Sequence, residues 1–207
     1  SPIFRLINFM ANFEIPVTDD DLEHILRLNM ISGIGTITFR TLIEHFGSAK
    51  TILNSTKSKL ESIPGIGPKI AEKIVNGSKE VDVEKEIRLA EKNNVNIVPF
   101  SSEKYPFNLK SIYDPPLVLY IKGTIEKKDT IALAIVGSRR CSYYGQSQAV
   151  KFSRQLAQIG LCIVSGMARG IDTNAHLGAI NGKGRTIAVL GCGLRVVYTQ
   201  EKRELMG

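Results

Sequence analysis

Apolar residues in the first 80 positions recur at helical spacing, and glycine turns interrupt them. Within residues 19–46 the spacing predicts two helices, the first beginning at the aspartates of positions 19–21 and the second ending at Gly47. Their apolar faces consist of Leu22, Ile25, Leu26, Met30, Phe39, Leu42, Ile43 and Phe46. A similar run at 60–75 predicts a further helix pair, whose second helix we expect to end at Gly77.

The two halves of this region share a Gly-Ile-Gly turn. One copy lies at residues 33–35 and the other at residues 65–67, 32 positions later. Each copy has the order helix, Gly-x-Gly turn, helix, which is an internal repeat and resembles a helix-hairpin-helix motif. The pattern predicts a small all-α, SAM-like domain over residues 1–80.

From residue 81 onward the pattern changes to alternating helices and strands. A charged helical stretch at 83–91 is followed by apolar runs at 97–100 and 117–121, which we expect to form strands. Three strand-turn-helix units follow, with strands at 131–136, 161–164 and 186–190. The helix after the first strand carries Val150, Phe152, Leu156 and Ile159 and ends at Gly160. Because unbroken apolar runs are typical of buried parallel strands, residues 81–207 are predicted to form an open, Rossmann-like parallel α/β sheet.

The excess positive charge lies in the last third of the chain. The 207 residues carry 27 Lys and Arg against 20 Asp and Glu, a formal net charge of +7. Residues 1–136 hold 17 basic and 17 acidic side chains, whereas residues 137–207 hold 10 basic and 3 acidic ones. This distribution argues against a uniformly cationic disordered protein and favours a local surface for phosphates or nucleic acid. A solvated basic face is the alternative.

Two turns that follow predicted strands combine glycine, hydroxyl and guanidinium groups. The carboxyl ends of parallel strands form the ligand crevice of an open α/β sheet, and arginine suits bidentate contact with phosphate. The predicted phosphate- or DNA-binding residues in these turns are Gly137, Ser138, Arg139, Arg140, Ser165, Gly166 and Arg169.

The Gly-Ile-Gly turns form a second candidate site, because glycines let a phosphate approach the amides that open the following helix. The copy with Gly65, Gly67 and Lys69 is the better candidate for a second DNA contact. Residues 19–79 have a net charge of only +1, which is weak for a DNA clamp. Packing or protein binding by the paired hairpins therefore remains an alternative.

The sequence contains little that indicates catalysis. Asp172 is interpreted as a helix cap, and His176, four residues later, as a local helix contact rather than one half of a catalytic pair. The three cysteines form no C-x-x-C pair, so no metal site or disulfide framework is predicted. We predict no catalytic residues and no cofactor. We also expect no membrane segment, and a cytoplasmic location.

Several motifs in chain order are similar to the DNA-processing protein A (DprA/Smf) family. They are Tyr105-Pro106, Asp114-Pro115-Pro116, the run 119–123, the run 134–139, Tyr144-Gly145, the run 163–173 with Ala175-His176, and the run 186–194. The run 163–176 (Ile-Val-Ser-Gly-Met-Ala-Arg-Gly-Ile-Asp-Thr-Asn-Ala-His) is the most specific, and the resemblance covers about residues 81–207.

The resemblance implies a single-stranded DNA-binding mediator that protects incoming DNA and loads the RecA recombinase during natural transformation. It makes Arg139 the first choice for a DNA contact. The chain departs from the family pattern at Arg195 and at Thr199. Lys202, which follows them, could compensate as a further DNA contact. The family fold continues beyond Gly207, so we expect a truncated member whose homodimer interface lies outside these residues.

Two other functions compete with this interpretation. One is a nucleotide-binding enzyme of the LOG or lysine-decarboxylase-like Rossmann group, whose catalytic signature with its Glu is absent from these residues. The other is a protein-interaction adaptor in which the basic turns are structural.

Overall fold

The computed structural model describes residues 22–191, and the chain divides into two compact units, Ser1–Thr124 and Ile125–Gly207. The predicted helix cap at positions 19–21 lies outside the described residues. The combination of a helical first part and a parallel α/β second part confirms the predicted fold class.

Six helices precede the first strand in the described part of the chain, one more than the apolar pattern predicts. They are α1 Leu22–Met30, α2 Thr36–Phe46, α3 Ala49–Leu53, α4 Lys57–Glu61, α5 Pro68–Glu80 and α6 Val83–Lys92. The short helices α3 and α4 begin where the side-chain oxygens of Ser48 and Thr56 accept hydrogen bonds from the amides three residues later. The five residues of α3 are too few for the helical spacing of apolar positions to reveal them.

The two Gly-Ile-Gly turns have the same geometry, which confirms the internal repeat. Gly33 and Gly65 adopt left-handed φ angles of 95° and 84°, a conformation that favours glycine. The isoleucine between each glycine pair, Ile34 or Ile66, is buried in the helical core. The buried isoleucine side chain therefore holds each turn against the core. The next helix begins directly after the second glycine of the turn.

The prediction that Gly77 ends a helix is wrong, because α5 continues to Glu80. A Cβ atom at Gly77 would lie 3.3 Å from the side chain of Ile31, so the glycine permits close packing. The helix end is instead stabilised by Arg27, whose Nη1 donates to the carbonyls of Ser78 and Val81 at 2.8 and 3.2 Å.

Residues 81–124 belong to the same compact unit as the preceding helices. Strands β1 (Val95–Pro99) and β2 (Val118–Lys122) form an antiparallel pair with the short helix α7 (Phe107–Lys110) between them. Leu117 and Val118 belong to the helical core, and the Thr36 hydroxyl donates to the Pro115 carbonyl at 2.8 Å. The compact unit consequently ends at Thr124, later than the predicted domain boundary at residue 80.

The second unit contains the predicted parallel sheet. The strands β3 (Ala132–Ala134), β4 (Cys162–Ser165) and β5 (Thr186–Ala188) lie side by side in that order. Helices α8 (Tyr143–Gln158) and α9 (Ile171–Asn181) connect them. Strands β3 and β5 are shorter than the apolar runs that predict them.

The strands of the parallel sheet are less uniformly buried than the sequence predicts. Strand β4 is central and largely buried, whereas all three residues of β3, an outer strand among those described, are exposed. Helices α8 and α9 pack closely through small residues, with Gly178 against Ser153. The large apolar residues Phe152 of α8 and Ile159 at its end are therefore on the exposed side, at 54% and 74% exposure.

An ion-pair cluster joins the start of the sheet to its last strand. The buried Asp129 carboxylate, in a 3₁₀ turn at Lys127–Thr130, accepts hydrogen bonds from Arg185 at 2.5 and 2.7 Å. These bonds are the main reason that the pKa of Asp129 lies below its usual value. Arg185 also contacts Glu126 at 2.7 Å, so its charge is satisfied within the fold.

We expect Asp129→Asn to lower the free energy of unfolding of this unit by about 2 kcal/mol, because it removes the charged acceptor of two hydrogen bonds. Urea unfolding followed by circular dichroism measures the loss. The matched control is Lys128→Ala, which removes an exposed ion pair with Glu126 and should change stability by less than about 1 kcal/mol. Equal effects of the two substitutions would contradict the structural role of the buried pair.

Candidate nucleic-acid interface

The two phosphate-binding turns predicted from the sequence lie side by side. The turn containing Arg139 follows β3 and the turn containing Arg169 follows β4, and these neighbouring parallel strands end at the same edge of the sheet. The Ile171 amide donates to the Ser138 carbonyl at 3.3 Å. A Cβ atom at Gly170, whose φ is 86°, would lie 2.9 Å from the Arg139 carbonyl oxygen. The close approach of the two turns thus requires glycine at position 170.

Asp172 connects these turns. Its carboxylate accepts hydrogen bonds from the amides of Gly137 at 3.4 Å, Gly166 at 3.2 Å and Ala168 at 3.4 Å. The interpretation of Asp172 as the helix cap is wrong, because Gly170 is the N-cap of α9 and has no side-chain cap. The amides expected to face a ligand phosphate therefore face an internal anion.

Three arginines extend from the joined turns. Arg139, Arg140 and Arg169 are exposed. Within residues 22–191, no carboxylate lies within ion-pair distance of any of them. Arg185, by contrast, is held by two carboxylates and is not free to bind a ligand.

The local charge balance reinforces this arrangement. Residues 125–191 hold nine basic and three acidic side chains. Two of the three acids, Glu126 and Asp129, pair with Arg185, and the third, Asp172, binds backbone amides. The field around the three arginines is consequently positive, which attracts phosphate groups.

The hydroxyls of the two turns have different environments. Ser138 is exposed, and its Oγ accepts a hydrogen bond from the Arg140 amide at 3.1 Å, which shapes the turn. Ser165 is 2% exposed, and its hydroxyl donates to the Ile135 carbonyl at 2.6 Å. Of the two predicted contact hydroxyls, the structure therefore presents Ser138 at the surface and uses Ser165 inside the sheet.

The interpretation of His176 as a local helix contact is wrong, because its ring bonds to the sheet. Its Nδ1 lies 2.6 Å from the Thr186 hydroxyl, which itself donates to the Ile163 carbonyl at 2.8 Å. Because that hydroxyl proton is already used, the Thr186 oxygen accepts and Nδ1 carries the proton. Burial lowers the pKa of His176, which favours the neutral ring, and the nearby Asp172 opposes this shift.

The two Gly-Ile-Gly turns of the helical unit, the second of which is the predicted second contact, have different surroundings. Gly65 and Gly67 have no neighbour that a Cβ atom would meet, and Lys69 is exposed beside them. At the first turn, the Lys73 ammonium donates to the Ser32 carbonyl at 3.0 Å and lies beside Gly33, while Gly33 and Gly35 are both exposed. Both turns are therefore accessible, and the first carries a fixed cation.

Two exposed tyrosines were missed by the sequence reasoning. Tyr143 and Tyr144 are 86% and 73% exposed at the start of α8, directly after the turn that contains Arg139 and Arg140. Consecutive aromatic residues after an arginine pair are a detectable signal. Lys202, Arg195 and Thr199 lie outside the described residues.

No helix among residues 22–191 is long and apolar enough to cross a membrane. The same residues contain no group of three histidine, cysteine or acidic side chains placed to hold a metal ion.

Family models match both parts of the chain. One for a SAM-like helix-hairpin-helix tandem matches residues 25–80, and one for DNA recombination-mediator protein A matches residues 96–207. Protein Smf of Synechocystis is 30% identical over 193 residues, covering 91% of this chain and 48% of the relative. DNA processing protein DprA of Bacillus subtilis is 42% identical over 113 residues, covering 54% of this chain and 38% of the relative.

A solved structure has a similar fold. The X-ray structure of DNA processing protein A from Streptococcus pneumoniae matches with a TM-score of 0.69 and 28% identity, over 90% of this chain and 63% of that one. The chain thus spans about half or less of the length of the two relatives above.

We expect Asp172→Asn to loosen the joined turns, because a neutral amide is a weaker acceptor for three backbone N–H groups. The free energy of unfolding should fall by about 1–2 kcal/mol. Hydrogen exchange at Gly137, Gly166 and Ala168 should become faster than in the wild type. Asp114→Asn makes the same chemical change at an exposed position in the other unit and should leave these three amides unaffected. Unchanged exchange in Asp172→Asn would contradict the bridging role.

His176 should make the second unit sensitive to acid. Its folded-state pKa lies below the ordinary value of 6.5, so the unfolded chain binds the proton more tightly. Stability should therefore decline as pH falls below about 6.5, by up to about 1.4 kcal/mol per pH unit, until the folded-state pKa is reached. His176→Asn should remove this component of the urea-unfolding profile, whereas the exposed His45→Asn should retain it. An identical pH profile for the wild type and His176→Asn would refute this assignment.

Proposed function

The chain belongs to the DNA recombination-mediator protein A family, and from that premise we propose that it binds single-stranded DNA by its phosphates. The observation that carries the proposal is the group of three exposed arginines on two adjoining turns. Arg139, Arg140 and Arg169 have no carboxylate within ion-pair distance among residues 22–191. Exposed Ser138 adds a hydroxyl to the same surface.

The contacts would fix the DNA backbone without reading its bases. Guanidinium groups bind phosphate oxygens by paired charge-assisted hydrogen bonds, and such contacts carry no sequence information. Neutralising phosphates releases condensed counterions, so affinity should fall steeply as salt rises. The family resemblance supplies the preference for single strands, which competition with duplex DNA of the same sequence would test.

Asp172 favours this proposal over a nucleotide-binding enzyme. In dinucleotide-binding Rossmann folds, the amides of the first glycine turn face the pyrophosphate of the cofactor. Here the Gly137 and Gly166 amides face the Asp172 carboxylate, which repels a second anion at that position. Phosphates would instead be held further out by the arginine side chains, so the proposed activity is binding rather than catalysis.

The role that we propose for the whole protein is the one that the family resemblance implies. We propose that the whole protein protects incoming DNA and loads RecA onto it in the cytoplasm during natural transformation. We also propose that the whole protein acts as a homodimer. Lys202 is retained as a proposed contact. The open turn with Gly65, Gly67 and Lys69 is proposed as a second, weaker DNA contact.

We expect Arg139→Ala in the full-length protein to weaken binding to a labelled single-stranded oligonucleotide about ten-fold. The slope of log affinity against log salt should fall by about 0.7 for each phosphate that the variant no longer neutralises. Fluorescence anisotropy across a salt series measures both quantities. Arg154→Ala removes the same charge from an exposed position on α8 and should weaken binding less than about two-fold.

Comparison of Arg139→Ala with Arg154→Ala distinguishes a localised phosphate-binding site from a diffuse positive potential around the unit. Equal losses in both would show that only the net charge of the unit matters. An unchanged affinity and salt slope in Arg139→Ala would remove that residue from the site. Lys69→Ala, measured in parallel, tests the second contact, which predicts a smaller loss than that of Arg139→Ala.

A further inference from the structure

We propose that Tyr143 and Tyr144 form a stacking surface for DNA bases beside the three arginines. This inference rests on the proposed function, because it adds a base contact to the phosphate contacts. The two phenol rings are 86% and 73% exposed, although tyrosine is a residue that usually buries much of its ring. Other large side chains of this unit are exposed too, among them Val136 at 70% and Ile159 at 74%, so the argument rests on where the two rings lie relative to the arginines.

The aromatic residues of this unit are all at its surface. Among residues 125–191 they are Tyr143, Tyr144 and Phe152, and all three are exposed residues of α8. The core is built from Ala157, Ile163, Ala175 and Ala179 with Ile135 and Leu156 against it. The two tyrosines therefore do not contribute their rings to the packing of the described sheet and helices.

Their position relative to the arginines is constrained by the chain. Three peptide units separate Arg140 from Tyr143, so their Cα atoms lie within about 11 Å. The Ser142 hydroxyl accepts a hydrogen bond from the Gly145 amide at 3.2 Å, which fixes the start of α8. Because Cα–Cβ bonds in a helix tilt toward its N-terminus, both side chains tilt toward the end of α8 that the arginine-bearing loop precedes in sequence.

Phosphates and bases make different demands on a protein, and this surface has groups for both. A single strand exposes its bases, and aromatic rings stack on them without regard to sequence. Tyrosine has only two side-chain torsions, so it sacrifices little conformational freedom when it stacks. Arginine contacts alone would hold duplex and single strands alike, whereas stacking requires unpaired bases. The tyrosines thus account for a preference for single strands at this edge of the sheet.

The test compares two labelled oligonucleotides with the same number of phosphates, an oligo-dT and a fully abasic strand. The full-length wild-type protein should bind oligo-dT at least about five-fold more tightly than the abasic strand, since one stacked base contributes about that factor. The double substitution Tyr143→Ala, Tyr144→Ala should remove this preference and leave the salt slope unchanged. The double substitution to Phe should retain the preference, because the ring stacks without its hydroxyl.

Phe152→Ala is the matched control. Phe152 is exposed on the same helix, about 12 Å beyond Tyr144 along the axis, and its removal should leave the preference intact. Arg139→Ala should weaken binding to both oligonucleotides by the same factor.

The remaining outcomes are distinguishable. If the wild type binds both oligonucleotides equally, the stacking surface is wrong while the phosphate site stands. If it binds neither, the phosphate site and the stacking surface both fail. The double substitution Tyr143→Ala, Tyr144→Ala could instead change the molecular mass of the protein in solution and weaken binding of both oligonucleotides equally. The rings would then belong to an interface between copies of the protein, which also overturns the proposal.

Discussion

The interaction on which the edge of the sheet with the three exposed arginines depends is the contact of one carboxylate with three backbone amides. Asp172 joins the turn after β3 to the turn after β4, at distances of 3.2–3.4 Å. These part-buried amides find in Asp172 an acceptor that belongs to the fold itself. The carboxylate thus ties the two turns together, which keeps Arg139 and Arg169 at one edge of the sheet. In the proposed function the arginine side chains, rather than the turn amides, are the groups that meet a ligand.

Features set by local chemistry could be predicted from the sequence. The repeated Gly-Ile-Gly turns, the alternation of strands and helices from residue 131 and the end of α2 at Gly47 all depend on short-range rules. The arginine-bearing turns were predictable for the same reason, since the carboxyl ends of parallel strands meet at one edge whatever the detailed packing.

Features decided by contacts between distant residues could not be predicted. Gly77 looks like a helix stop but lies inside α5, because Ile31 packs against it. Ser165 looks like a ligand hydroxyl but bonds to Ile135, 30 residues away in sequence. Asp172 resembles a cap but bridges two turns. In each case the residue type is compatible with two roles, and a contact with a residue distant in sequence decides which role it has.

The ammonium of Lys73 makes the two copies of the helical repeat unequal. It donates to the Ser32 carbonyl and would lie 3.1 Å from a Cβ atom at Gly33, whereas a Cβ atom at Gly65 or Gly67 would meet nothing. The first turn thus carries a cation that a hydrogen bond fixes in place. If the second turn holds a phosphate as proposed, that contact is weak by itself and gains strength only as a tethered partner of the proposed arginine site, through the effective concentration that the covalent chain provides. In that role the helical unit raises avidity rather than capturing DNA independently.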